Sequence, residues 1–145
     1  MKISTKGRYA LRMILDLAEN KNKGYISLKE IAERQNISKQ YLEQIVSLLH
    51  TSNILRANRG KQGGYMLAKE PEEITVGQIL RITEGSLAPI ACLDDEINQC
   101  ERTEFCKTLP MWNGLYTVIN EYVDAVTVQS IIDQYTEKSA DSYVI

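Results

Sequence analysis

The sequence predicts a mainly α-helical fold, in which a winged helix-turn-helix unit with a small β-hairpin wing precedes a long C-terminal dimerisation helix. Three observations predict this fold. Residues 38–50 carry an apolar stripe opposite a polar face. Residues 53–68 have the pattern of a two-stranded hairpin with a basic, glycine-rich tip. The segment after residue 108 is so apolar at helical spacing that we expect it to pack against a second copy of the chain.

Three helices are expected before the wing. Helical spacing predicts the first over residues 5–19, and a polar turn follows at residues 20–24. Ser27 and Glu30 form a capping-box pattern that opens a short second helix. The third begins after Ser38, whose hydroxyl is suited to cap it. The buried faces are predicted to be Tyr9, Ala10, Met13, Ile14, Leu17, Ala18, Leu28, Ile31, Ala32, Leu42, Ile45, Val46 and Leu49.

A fourth helix and a long loop are expected after the wing. Pro71 interrupts the chain, and Thr75 is expected to cap a helix that ends at Gly85. Residues 86–106 then lose all periodicity. A loop of this length inside a compact domain usually has a function.

The long helix follows that loop. Thr108 is expected to cap it, with Pro110 tolerated in its first turn. Thr127 is expected to cap a last, short helix, and the tail from Lys138 to fray. The apolar positions of the long helix are Trp112, Leu115, Ile119, Tyr122 and Val126.

Composition and pattern together suggest three functional parts. We expect a DNA-binding domain at residues 1–85, a cysteine loop at 86–107, and the dimerisation helix with the C-terminal helix and tail at 108–145. No apolar run approaches the ~20 residues needed to cross a bilayer, and the first residues lack the apolar region of a signal peptide. We therefore expect a cytoplasmic protein that does not bind membranes.

Charge is distributed unevenly along the chain. Residues 1–70 hold 13 Lys+Arg and 6 Asp+Glu, a net charge of +7, whereas residues 71–145 hold 4 and 13, a net charge of −9. The overall charge of −2 hides this asymmetry. A basic half that contains a polar-faced helix is the electrostatic pattern of a DNA-binding module.

The candidate DNA contacts divide into two kinds. Cationic side chains neutralise phosphates, which we expect of Lys39, Arg59 and Lys61. Glutamine suits adenine and glutamate suits the amino group of cytosine, so residues 40, 43 and 44 are expected to face bases. Taken alone, such a polar face would more often be an ordinary solvated surface. The full predicted DNA-binding set is Ser38, Lys39, Gln40, Tyr41, Glu43, Gln44, Arg59, Gly60 and Lys61.

Three cysteines, Cys92, Cys100 and Cys106, lie in the aperiodic segment. An odd number in a cytosolic chain argues against a disulfide framework. Three buried residues without chemistry, a zinc site and an iron–sulfur cluster are the alternatives. Zinc sites favour close pairs of cysteines, which are absent here, whereas thiolates at wider spacing on a loop can hold a cluster.

An iron–sulfur cluster held by these three thiolates is therefore the favoured hypothesis, either [2Fe–2S] or [4Fe–4S]. Three thiolates leave one iron position for another ligand. That ligand would be a residue of the partner subunit, a small external molecule, or a nearby carboxylate. The carboxylate candidates are Asp94, Asp95, Glu96, Glu101 and Glu104.

Several motifs together resemble the Rrf2 superfamily of bacterial winged-helix regulators, and most closely its IscR and NsrR group of iron–sulfur regulators and nitric-oxide sensors. The resemblance covers residues 1 to about 135. Its motifs are residues 1–10, Ile37-Ser38 followed by Tyr41-Leu42-Glu43-Gln44, Arg59-Gly60 with Gly63-Gly64-Tyr65, and three cysteines before Trp112.

The resemblance implies a homodimeric transcription repressor that binds a palindromic operator in double-stranded DNA. The dimer would cross through the long helix, with the cysteine loop beside the partner's DNA-binding unit. Tyr41, Glu43, Gln44 and Arg59 match DNA-contacting positions of the family, while position 40 is Ser in some relatives and Gln here.

Two departures concern the metal site. IscR-like members carry a histidine where this chain has Leu109, and NsrR-like members can use a carboxylate where it has Arg8. Some relatives lack the cysteines and are controlled by a cysteine-synthesis enzyme. A cluster-free repressor controlled by such a regulatory protein partner or by a thiol metabolite is therefore the alternative.

An enzyme is not expected. A cysteine nucleophile needs a neighbouring base, and the single histidine, His50, ends the predicted reading helix. There it is expected to be structural or to face a phosphate, since a cation complements a helix C-terminus.

Overall fold

The computed structural model describes residues 1–142 and confirms the predicted fold class. Within these residues, six α-helices and one small antiparallel hairpin follow one another in the order that the sequence predicts. The elements are α1 (Thr5–Glu19), α2 (Leu28–Gln35), α3 (Lys39–Thr51), β1 (Leu55–Asn58), β2 (Gly64–Leu67), α4 (Val76–Glu84), α5 (Leu109–Ala125) and α6 (Val128–Asp141). In this part of the chain no helix is long and apolar enough to span a membrane.

Most helix starts follow the sequence pattern. The Ser38 hydroxyl accepts a hydrogen bond from Tyr41 N–H at 3.1 Å, and Ser27 accepts one from Glu30 N–H at 3.2 Å. Thr75 and Thr127 each take part in a reciprocal capping box. These bonds satisfy N–H groups that a helix start otherwise leaves unpaired.

Two predictions near the C-terminus are wrong. Thr108 precedes α5 but its side chain makes no capping hydrogen bond, because the hydroxyl lies 3.4 Å from Cys106 Sγ instead. The last helix is not short, since α6 continues through Lys138 to Asp141. Its final turns contain alanine, lysine and glutamate, which favour helix.

The wing is joined to Ile26, just before α2, by an isolated β-bridge that the sequence pattern does not predict. Ile26 N–H donates to Tyr65 O at 2.9 Å, and Tyr65 N–H donates to Ile26 O at 2.8 Å. This bridge explains Gly64, because a Cβ there would lie 2.2 Å from the Ile26 carbonyl oxygen. Gly60, by contrast, adopts a φ of 115° at the wing tip, a conformation that favours glycine.

The hydrophobic core lies within the winged unit. α1 supplies its centre, where Met13 and Ile14 are completely buried, and α3 packs on it through Leu42 and Leu49. Val128, at the start of α6, is also completely buried. The predicted inward faces of α1 to α3 are confirmed, except that Tyr9 and Ala32 are only half-buried.

Candidate nucleic-acid interface and cysteine loop

The polar face of α3 is exposed along its length. Glu43 and Gln44 point away from the core, and so do Lys39 and Gln40 in the first turn. The apolar stripe on the opposite side of the helix is buried. The packing of α3 therefore leaves exposed to solvent the side chains that are suited to contact DNA. Ser38 and Ser47 are exposed on the same side.

The wing borders the same face of α3. One groove is lined on the helix side by Glu43, Ser47 and His50, and on the wing side by Asn58 and Arg59. Gly60 also lines it. The structure thus brings together two segments that separate sequence patterns predict, and it adds Asn58, which no local pattern identifies.

The cations of this surface are available to an external anion. Lys39, Arg59 and Lys61 are exposed. Within residues 1–142, the ion pairs are Lys21–Glu70, Arg34–Asp16, Arg34–Glu30 and Arg81–Asp124. None of the three interface cations belongs to a pair in that part of the chain. Their charges are therefore not neutralised by ion pairs among the described residues, which leaves them available to phosphates.

Tyr41 differs from the other predicted contacts because it is only half-buried rather than exposed. Its ring meets the ring of Tyr9 edge to face, with centroids 5.5 Å apart. The guanidinium of Arg12 lies 5.2 Å from the centre of the Tyr9 ring. These aromatic and cation–π contacts hold the first turn of α3 against α1.

The buried carboxylate of Asp16, on α1, is hydrogen-bonded to the last residues of α2. Asp16 is 2% exposed, and its oxygens accept hydrogen bonds from Arg34 at 2.7 and 3.0 Å and from Gln35 at 3.0 Å. Gln35 in turn accepts from Arg12 through both its side chain and its backbone carbonyl. This network ties the end of α2 to α1, just before the turn into α3.

Replacing Asp16 with Asn should lower the free energy of unfolding by about 1–3 kcal/mol, because the buried amide would lose charge and place N–H groups opposite the donors of Arg34. Urea denaturation measures the effect. Asp133→Asn, an exposed acid on α6, is the matched control. Coincident unfolding curves for the wild type and the Asp16 variant would contradict the predicted role of the network.

The cysteine loop lies outside the core. No residue between Ala88 and Thr108 is fully buried, and Ile97 and Phe105 are 73% and 79% exposed. Two short 3₁₀ turns, Ala91–Leu93 and Thr103–Phe105, are its regular structure. Cys92 lies in the first of these turns, and Cys106 follows the second.

All three cysteines are free thiols. Cys100 is exposed, and its backbone N–H donates to Asn98 Oδ1 at 2.9 Å. The pKa of the Cys106 thiol is lowered, chiefly by its hydrogen bond with the Thr108 hydroxyl. A lowered pKa favours the thiolate, the form of cysteine that binds metals.

The thiols fit an iron–sulfur cluster by chemical type, because soft thiolates on a segment free of the core are its usual ligands. They are not gathered into a ready site, since no three His, Cys, Asp or Glu side chains in residues 1–142 form a group able to hold a metal ion. Cluster binding by this chain would therefore require the loop to rearrange.

Comparison with known proteins gives consistent matches over nearly the whole chain. The family model described as "Rrf2: Iron-dependent Transcriptional regulator" matches residues 3–134. The HTH-type transcriptional regulator CymR of Bacillus subtilis is 38% identical over 144 residues, which are 99% of this chain and 98% of that protein.

Solved structures agree with the sequence matches. The structure of "CymR (YrzC) the Global Cysteine Regulator of B. subtilis" has a TM-score of 0.76 and 35% identity, and the match covers 92% of this chain and 98% of that one. T. potens IscR also has a TM-score of 0.76, with 37% identity over 95% of this chain and 90% of that one.

Proposed function

Because the chain belongs to the Rrf2 family of transcriptional regulators, we propose that it is a homodimeric repressor whose affinity for a palindromic DNA operator is controlled through Cys92, Cys100 and Cys106. In this proposal residues 1–85 bind DNA, residues 86–107 respond to the signal, and residues 108–145 form the dimer.

The exposed face of α3 beside the wing is the observation that carries the DNA-binding role. Lys39, Arg59 and Lys61 would hold phosphates on either side of the groove. Gln40, Glu43 and Gln44 would contact base edges in the major groove, where glutamine and glutamate distinguish base pairs. Ser38 would contribute at the N-terminus of α3, with Tyr41 beside it and Gly60 allowing the wing backbone to approach the duplex.

The outer face of α5 supports the dimer. Met111, Leu115, Val118 and Tyr122 lie at helical spacing and are 54%, 40%, 61% and 69% exposed. Such a continuous apolar stripe is typical of a surface that is covered by another protein. A second copy satisfies the twofold symmetry that most homodimers adopt, and a twofold dimer reads a palindrome.

The cysteine loop supports control by an iron–sulfur cluster. Cys92, Cys100 and Cys106 would hold the cluster, which when bound supplies an iron centre that reacts with oxygen or nitric oxide. The chain's contribution is the loop itself. Ordering of residues 86–107 would change the contacts at the start of α5, and the ligand would shift operator affinity by its preference for one of the two loop states.

A cluster-free repressor is the second candidate. It is favoured by the relative described as a global cysteine regulator, which matches the chain almost from end to end. It is also compatible with thiols that lie apart in the described residues. Under this alternative, a cysteine-metabolism enzyme or a thiol metabolite would control operator binding.

Selection of random duplex DNA by the full chain tests the proposed function. We expect an enriched palindrome with half-site centres about one helical turn, or a multiple of it, apart. Affinity for that palindrome should fall linearly on a logarithmic plot against salt concentration. Failure to enrich any sequence, together with binding insensitive to salt, would contradict the proposal.

A further inference from the structure

The corner between α5 and α6 is attached to the winged unit by backbone hydrogen bonds. Val76 N–H donates to Val126 O at 2.9 Å, and Val128 N–H donates to Ile74 O at 2.9 Å. Val128 is completely buried at this corner. The C-terminal end of the proposed dimerisation helix is therefore joined to the DNA-binding unit by rigid backbone contacts.

Side-chain hydrogen bonds from Arg81 to Asn120 and Asp124 hold α5 against α4 just before that corner, and this contact is called the brace below. The two Nη atoms of Arg81, on α4, donate to the two carboxylate oxygens of Asp124 at 2.6 and 3.0 Å. Arg81 Nη2 also donates to Asn120 Oδ1 at 2.7 Å. Two consecutive turns of α5 are thus held by one planar guanidinium, which restricts direction as well as distance.

Gly77 allows this close approach. It is buried, and a Cβ at this position would lie 2.0 Å from Asp124 Oδ1. The Arg81 hydrogen bonds lower the pKa of Asp124, so the pair stays charged at neutral pH.

The apolar stripe extends from Tyr122, which lies between the two braced residues, to Met111 near the start of α5, and no residue of α5 is buried. Asn120 and Met111 are nine residues apart, about 14 Å along a helix, so a rotation of about 10° at the brace would move Met111 by roughly 2 Å. The angle between α4 and α5 therefore sets the orientation of the winged unit relative to the apolar stripe.

We propose that the contact of Arg81 with Asp124 and Asn120 sets the spacing between the two DNA-reading helices of the dimer, and hence the half-site spacing that the protein selects. This inference rests on the proposed function. Arg81 and Asp124 are positioning residues, since both lie on α4 and α5 rather than on α3 or the wing.

The test compares operators that differ only in half-site spacing. Affinities are measured for the selected palindrome, for versions with one or two base pairs inserted or removed, and for a single half-site. Asp124→Ala should reduce the preference for the selected spacing by up to about fivefold, as expected for loss of a partly exposed bidentate pair. Its affinity for the single half-site and its Tm should change little.

Two further variants, one with a smaller expected effect and one control, complete the test. Asn120→Ala removes one of the three hydrogen bonds and should shift the spacing preference in the same direction by less. Asp133→Ala is the matched control, because Asp133 is an exposed acid on α6 that accepts a hydrogen bond from Gln129 of the same helix.

The outcomes separate the two proposals. If the wild type shows no preference among spacings, the dimeric palindrome reader fails and the positioning role fails with it. If the wild type discriminates and Asp124→Ala discriminates equally well, the positioning role alone is overturned. A loss of affinity that is equal on palindrome and half-site would also overturn it, since that pattern indicates a general structural defect.

Discussion

Replacing Gln44 with Ala should weaken operator binding about tenfold to a hundredfold, because a bidentate contact of glutamine with adenine contributes about 1–3 kcal/mol of discrimination. The side chain is exposed on α3 and is not part of the hydrophobic core, so the fold should be preserved. Fluorescence anisotropy with the selected palindrome measures the change.

The pattern of the loss matters as much as its size. The Gln44 variant should relax preference at one base pair of each half-site and leave the salt dependence unchanged, whereas Arg59→Ala should flatten the salt dependence. Gln134→Ala, an exposed glutamine on α6, is the matched control. Equal operator affinity for the Gln44 variant and this control would contradict the role of α3 as the reading helix.

Replacing Cys100 with Ala should reduce bound iron to background and change operator affinity at least about tenfold, which corresponds to about 1.4 kcal/mol of coupling between loop and operator. Cys100 is exposed on a loop outside the core, so its removal should not alter Tm. Iron analysis and operator titration of protein purified without oxygen measure the two effects.

Gln99→Ala is the matched control for the cysteine variant. It changes the neighbouring exposed residue, whose side chain donates to the Ile97 carbonyl within the same loop. If the Cys100 variant kept both the iron and the operator affinity of this control, the loop would have no part in regulation through a cluster.

Local sequence patterns were sufficient to predict the elements of the candidate DNA-binding interface. The apolar spacing of α3 and the hydroxyl of Ser38 define where that helix lies and which side it buries. The basic, glycine-containing tip identifies the wing. These features depend on residues only a few positions apart, so the local sequence is sufficient to predict them.

Contacts between distant segments were not predictable in the same way. Asp16 pairs with Arg34, 18 positions away, and Arg81 with Asp124, 43 positions away. Asp16 is buried in α1, although the expected buried face of that helix does not include it. Nothing in the local sequence of Arg81 or Ile26 identifies their partners, because those partners are brought near by tertiary packing.

The sequence and the structure give different information about the cysteine loop. Spacing identifies three thiols able to act together, while the structure shows an exposed segment with two short turns. A segment that buries so little apolar surface has few contacts that determine its conformation. Contacts with the core therefore do not determine how the three thiols are arranged.

The most direct test measures metal content and operator affinity on the same preparation. Protein purified without oxygen is analysed for iron, acid-labile sulfide and zinc, and is then titrated with the selected palindrome before and after metal removal. We expect iron and sulfide in matching amounts, and operator affinities that differ at least about tenfold between the two forms. Metal-free protein that binds the operator with unchanged affinity would contradict it and favour control by a thiol metabolite or a partner enzyme.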